Sequence, residues 1–88
     1  MLQREVLINN PAGLHARPAS LLVAQAAKSK SEISIRFNNK TINAKSILSV
    51  LAGGIRSGSQ IVVTADGEDE REALDAICAL IEQLMNRR

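Results

Sequence analysis

The segment Glu32-Ile33-Ser34-Ile35-Arg36-Phe37 alternates polar and apolar residues without a break, and after Asn38-Asn39 the chain returns from Lys40 to Asn43 with Ile42 in an inward position. A period of two places Ile33, Ile35 and Phe37 on one face of a strand. Two asparagines at the reversal suit a tight turn, so the stretch predicts a β-hairpin, the clearest such signal in the chain. A hairpin commits the fold to antiparallel pairing, with one face of the sheet wet and the other needing cover.

That cover has to come from the remaining segments. Leu2, Val6 and Ile8 share one side of a strand over 2–8, with Arg4 breaking the period, and Asn9-Asn10-Pro11-Ala12-Gly13 ends it. From Ala16 to Ala27, residues Ala19, Leu22, Val23 and Ala26 repeat at helical spacing, and Pro18 sits in the first turn where a missing N–H is harmless. Ser46 is placed to cap a short helix running to Ala52 and stopped by Gly53-Gly54. Gln60 to Ala65 reads as a strand with Ile61, Val63 and Ala65 facing one way. Residues 68–85 close the chain as a helix carrying Leu74, Ile77, Cys78, Ile81 and Leu84, opened by Glu68-Asp69-Glu70, as the helix dipole favours. The order is βαββαβα. It predicts an α+β open-faced sandwich, a four-stranded antiparallel sheet with three helices on one face, forming a single domain over 1–88.

Composition removes several function classes. Phe37 is the only aromatic residue among 88, so the core must be aliphatic and a base-stacking platform for RNA is absent. A formal charge of +2 is too small for a dedicated nucleic-acid binder. One cysteine, Cys78, and one histidine, His15, leave neither a disulfide nor a zinc ligand set, so no metal and no cofactor are expected. The first residues lack the apolar stretch of a signal peptide, and no run is long enough to span a membrane. A cytoplasmic monomer is the expectation.

Chemistry concentrates in Gly13-Leu14-His15-Ala16-Arg17-Pro18-Ala19-Ser20, where a glycine-bearing loop enters the first helix. Free backbone N–H groups at a helix start hold anions, and the dipole disfavours an imidazolium there. Arg17 adds a guanidinium able to grip two phosphoryl oxygens. Neutral imidazole is a nucleophile that can be phosphorylated covalently. A lone histidine beside an arginine is most often merely solvated. Here no second histidine, no catalytic triad and no Walker loop accompany it, so His15 reads as a carrier group served by other proteins' catalysts rather than as part of an enzyme.

This octapeptide resembles the active-site signature of the HPr family, the histidine-containing phosphocarriers of the bacterial phosphoenolpyruvate:sugar phosphotransferase system. A second stretch, Lys40 through Lys45-Ser46-Ile47-Leu48-Ser49-Val50-Leu51, resembles that family's regulatory serine region. The resemblance covers essentially the whole chain. It implies a relay in which enzyme I phosphorylates His15 on Nδ1 and His15 passes the group to EIIA domains of sugar permeases, with Arg17 steadying the phosphoryl oxygens. It also implies a docking patch formed by Ile47, Leu48 and Leu51 with Ala16 and Ser20 at its edge. Arg56 is added as a rim cation on charge alone. Ser46 matches a residue phosphorylated by HPr kinase/phosphorylase in part of the family, which opens a second reading: a regulatory binding module for a transcriptional repressor in carbon catabolite repression. A nitrogen-regulatory phosphotransferase branch is a third. Three positions depart from the family pattern. Ala24 replaces a longer polar side chain, Asn39 a turn glycine, and Gly53 an aliphatic residue, the last predicting a looser exit from the second helix and one apolar contact fewer.

Overall fold

The structure is a computed structural model and describes residues 1–9 and 16–85. Its elements are β1 (Leu2–Ile8), α1 (Ala16–Ala27), β2 (Glu32–Phe37), β3 (Lys40–Asn43), α2 (Ile47–Ala52), β4 (Ser59–Asp66) and α3 (Glu70–Met85). The four strands form one antiparallel sheet in the order β1-β4-β2-β3, so the last strand in sequence is interior and pairs with both the first and the second. The expected open-faced sandwich is the observed fold, with α3 opening at Glu70 rather than 68.

Apart from Cys78 the buried core is aliphatic, with Phe37 packed against its edge. β4 contributes Ile61, Val63 and Ala65, β2 Ile33 and Ile35, β3 Ile42, α1 Ala19, Leu22 and Ala26, and α3 Leu74, Ile77 and Ile81, all buried. Each full burial of a large aliphatic side chain supplies roughly 1.5–3 kcal/mol, so a core without aromatics needs many of them. The β2–β3 reversal is a two-residue turn closed by the Phe37–Lys40 pair, and Asn38 and Asn39 both adopt the left-handed conformation, φ 50° and 64°. That double requirement belongs to the hairpin turn whose twist matches the strands, and asparagine meets it at lower cost than other non-glycine residues.

Arg4, which interrupts the apolar period of β1, is explained by what lies over it. Its guanidinium donates to Asp75 Oδ1 of α3 at 2.8 Å, so a charged pair crosses from strand to helix where Leu2, Val6 and Ile8 pack apolar neighbours. Both partners are exposed, so the pair fixes direction more than it adds stability.

A second tie joins the start of β2 to the start of α3. Asp69 accepts from the backbone N–H groups of Lys30 and Ser31 at 2.9 Å each and from the Ser31 hydroxyl, and its own carbonyl accepts from Ala73 N–H at 2.8 Å as the helix begins. Ser31 is fully buried, and Gly67 lies so close that a Cβ there would fall 2.7 Å from Ser31 Cα. Only glycine permits that approach.

The Ser31 hydroxyl, followed by the Lys30 and Ser31 amides, holds the Asp69 carboxyl below its ordinary value of 3.8. Because the folded-state pKa is depressed, the stabilisation is complete above the unfolded value and is lost as pH falls through the folded one. Urea midpoints measured from pH 6 down to pH 2 are expected to fall in that acid window, and Asp69→Asn is expected to flatten the fall. An unchanged acid slope in Asp69→Asn would assign the acid sensitivity to other carboxylates.

Candidate functional site

His15, the residue on which the carrier reading rests, lies outside the described residues, as do residues 10–14. Ala16 opens α1. In the first turn Arg17 and, one turn on, Ser20 are exposed, while Pro18 is half-buried, consistent with a ring in a turn that needs no N–H from it. No carboxylate pairs with the Arg17 guanidinium among the described residues. Leu21 is also exposed, and with Arg17, Ser20 and Ala24 it forms an outward row opposite the buried Ala19, Leu22 and Ala26. The expected docking residues did not include Leu21. Its offset of four from Arg17, outside the buried stripe, is the signal that could have found it.

The second element is α2. Ser46 is its N-cap: the residue is extended at φ −117°, ψ 116°, and its hydroxyl accepts from Ser49 N–H at 3.3 Å. The preceding segment is held firmly. Asn43 Oδ1 accepts from Lys45 N–H at 3.0 Å, Asn43 N–H donates to Ser49 Oγ at 3.0 Å, and Lys45 Nζ donates to the Ser29 carbonyl just beyond α1 at 2.9 Å. A six-residue helix cannot persist by propensity, so these ties and its packing against α1 and β3 hold it in place. Of its apolar residues only Val50 is buried. Ile47, Leu51 and above all Leu48, 78% exposed, turn outward. Such a row of large apolar residues at neighbouring positions is the composition of a contact surface rather than of a core.

Gly53 behaves differently from the expectation of a loosened helix exit. It is buried, lies in the right-handed helical region at φ −66°, ψ −22°, and its N–H donates to the carbonyls of Ser49 and Val50. A Cβ at this position would run into Ile42 Cδ1. The apolar contact that an aliphatic residue would make is therefore supplied from β3, by Ile42 reaching into the space that glycine leaves. The left-handed residue that ends the helix is Gly54, φ 68°.

Arg56 is exposed on the loop that follows, in a turn where its N–H donates to Ser59 Oγ and its carbonyl accepts from Ser59 N–H, both at 3.1 Å. Gly58 N–H donates to the Ile8 carbonyl at 2.6 Å, closing this loop onto the end of β1, from which the chain runs on toward His15. Among the described residues no group of three His, Cys, Asp or Glu side chains could hold a metal ion, and no helix is long and apolar enough to cross a membrane.

A family model described as the PTS HPr component phosphorylation site matches residues 2–83. The chain belongs to the HPr family. It is 43% identical over 84 residues, 96% of this chain and 99% of the relative, to the phosphocarrier protein HPr of Buchnera aphidicola, and 42% identical over 83 residues to the HPr-like protein Crh of Halalkalibacterium halodurans, covering 94% and 99% of the two chains. Among solved structures, an HPr from Thermoanaerobacter tengcongensis superposes with a TM-score of 0.95 at 40% identity, covering 100% of this chain and 99% of that one. A second structure, an HPr dimer from the same organism, gives a TM-score of 0.78 at 41% identity, covering 93% and 94%. HPr proteins are phosphocarriers of the phosphotransferase system.

Proposed function

We propose that this HPr-family chain is the cytoplasmic carrier that takes a phosphoryl group from phosphorylated enzyme I on His15 Nδ1 and gives it to EIIA domains of sugar permeases. In the first transfer the imidazole nitrogen forms a P–N bond as the bond from phosphorus to enzyme I breaks, and the second transfer reverses those roles. The observation that carries the reading is Arg17, an exposed guanidinium two residues beyond His15 in the first turn of α1 with no carboxylate partner among the described residues. An unneutralised guanidinium at a helix start is available for phosphoryl oxygens.

Ile47, Leu48 and Leu51, with Ala16 and Ser20 at the edge, form the docking surface in this reading, and Arg56 is its basic rim. An apolar centre with cations around it suits transient acidic partners, because the charges raise the rate of encounter and the apolar contact holds the pair briefly. Incubation with enzyme I and phosphoenolpyruvate is expected to place acid-labile phosphate on the protein, and His15→Ala is expected to abolish it. Label retained on His15→Ala would end the assignment.

A second reading, favoured by the 42% identity to an HPr-like protein Crh, is a regulatory module acting through phosphorylated Ser46 on a transcriptional repressor. Phosphorylation adds roughly −1.5 to −2 charge, which the start of a helix accommodates, so α2 remains folded while the new charge repels acidic partners from Leu48 and Leu51. HPr kinase/phosphorylase with ATP is expected to label the protein, and Ser46→Ala to remove that label without affecting the His15 reaction. Absence of any Ser46 label rejects the regulatory reading. A nitrogen-regulatory branch shares the His15 chemistry and differs in its partners, so transfer to a sugar-specific EIIA separates the two.

The working unit in this proposal is the monomer. Light scattering after size exclusion is expected to give the chain mass of 9.5 kDa. Twice that mass at micromolar concentration would align the chain with the dimeric structure of its thermophilic relative.

A further inference from the structure

Charge is unevenly divided along this chain. Residues 6–65 hold seven Lys and Arg against a single carboxylate, Glu32, whereas residues 66–88 hold seven Asp and Glu against three Arg. The ion pairs among the described residues all use carboxylates of the second group, Asp66, Glu68, Glu70 and Asp75. Between Ile33 and Ala65 there is no carboxylate at all.

Two cations of that stretch, Lys40 and Arg56, line one open pocket of about 340 Å³ between the β2–β3 turn and the α2–β4 loop. Neither is in an ion pair among the described residues. Asn38, Gly54 and Ser59 also line it, and no Asp or Glu does. Asn38 brings a side-chain amide, and the Ser59 hydroxyl, whose oxygen accepts from Arg56 N–H, keeps its own proton to donate. Nothing stands within 4 Å of where a Gly54 Cβ would be, so the wall is open on that side. Two unneutralised cations in one concavity raise the local potential and attract an anion, and the volume is at the lower end of small-ligand sites.

We propose that this pocket binds a phosphate-bearing small molecule, with Lys40 and Arg56 gripping its anionic oxygens and Asn38 and Ser59 donating to them. The site is separate from the carrier reaction, sharing Arg56 with the rim suggested above and Lys40 with the stretch that resembles the regulatory serine region, and its occupancy requires neither enzyme I nor a phosphorylated His15.

The test is a titration of the uniformly ¹⁵N-labelled full chain with inorganic pyrophosphate, and separately with inorganic phosphate, at constant ionic strength. Saturable amide shifts are expected at Asn38, Gly54, Arg56 and Ser59. The exposed pair substitution Lys40→Gln with Arg56→Gln is expected to weaken binding by about tenfold, as loss of charge-assisted contacts implies. Lys28→Gln, which removes one positive charge outside the pocket, is expected to leave the affinity unchanged. Shifts that never saturate, shifts centred on residues 16–20 instead, or an equal loss in Lys28→Gln would each overturn the proposal.

Discussion

The interior position of β4 is the constraint on which the rest of this molecule depends. A strand late in the sequence inserts between β1 and β2, so the sheet cannot be completed until most of the chain has been placed. Ile61, Val63 and Ala65 on its inner face meet α3 directly above, and neighbouring strands contribute Ile33 and Ile35 on one side. Because the pleat alternates, slipping β4 by one residue would turn its aliphatic row to water, and this burial defines the register with both neighbours. Two polar ties then set the helix above: Arg4 to Asp75 from the edge strand, and Asp69 to the Lys30 and Ser31 amides at the start of β2.

The site follows from this frame rather than adding to it. α1 is pinned by Ala19, Leu22 and Ala26, which leaves Arg17, Ser20 and Leu21 outward. α2 has only Val50 buried, so its orientation is set by the Ser46 cap, by Asn43 and Ser49, and by Lys45 reaching the end of α1. Such a helix can present Leu48 almost entirely to solvent because its stability comes from ties at its ends and from one buried valine. In the proposed function, such a helix offers successive partners an apolar area on an element whose position is fixed.

Much of this was legible in the residues alone. The hairpin, the stripes of α1 and α3 and the cap at Ser46 each depend on periodicity or on local hydrogen bonding, which act over a few residues. Arg4 was illegible as anything but an interruption, since its partner Asp75 lies 71 positions away. Gly53 misled for a related reason: a glycine after a helix reads as looseness, whereas here the residue is helical and its space is taken by Ile42 from the neighbouring hairpin. The exposure of Ile47, Leu48 and Leu51 could not be separated from burial by pattern either, because six residues are too few to define a face.

The sequence by itself determined the class of fold and the family, and it singled out the segment around His15 on which the proposed function rests, since each is written in residues adjacent or nearly so along the chain. The tertiary structure alone decided which apolar residues of α2 are displayed, why a strand facing α3 tolerates an arginine, and that Lys40 and Arg56, sixteen positions apart, line one pocket. Periodicity and capping are short-range, whereas burial and charge pairing are settled by whichever distant segments the sheet order brings together.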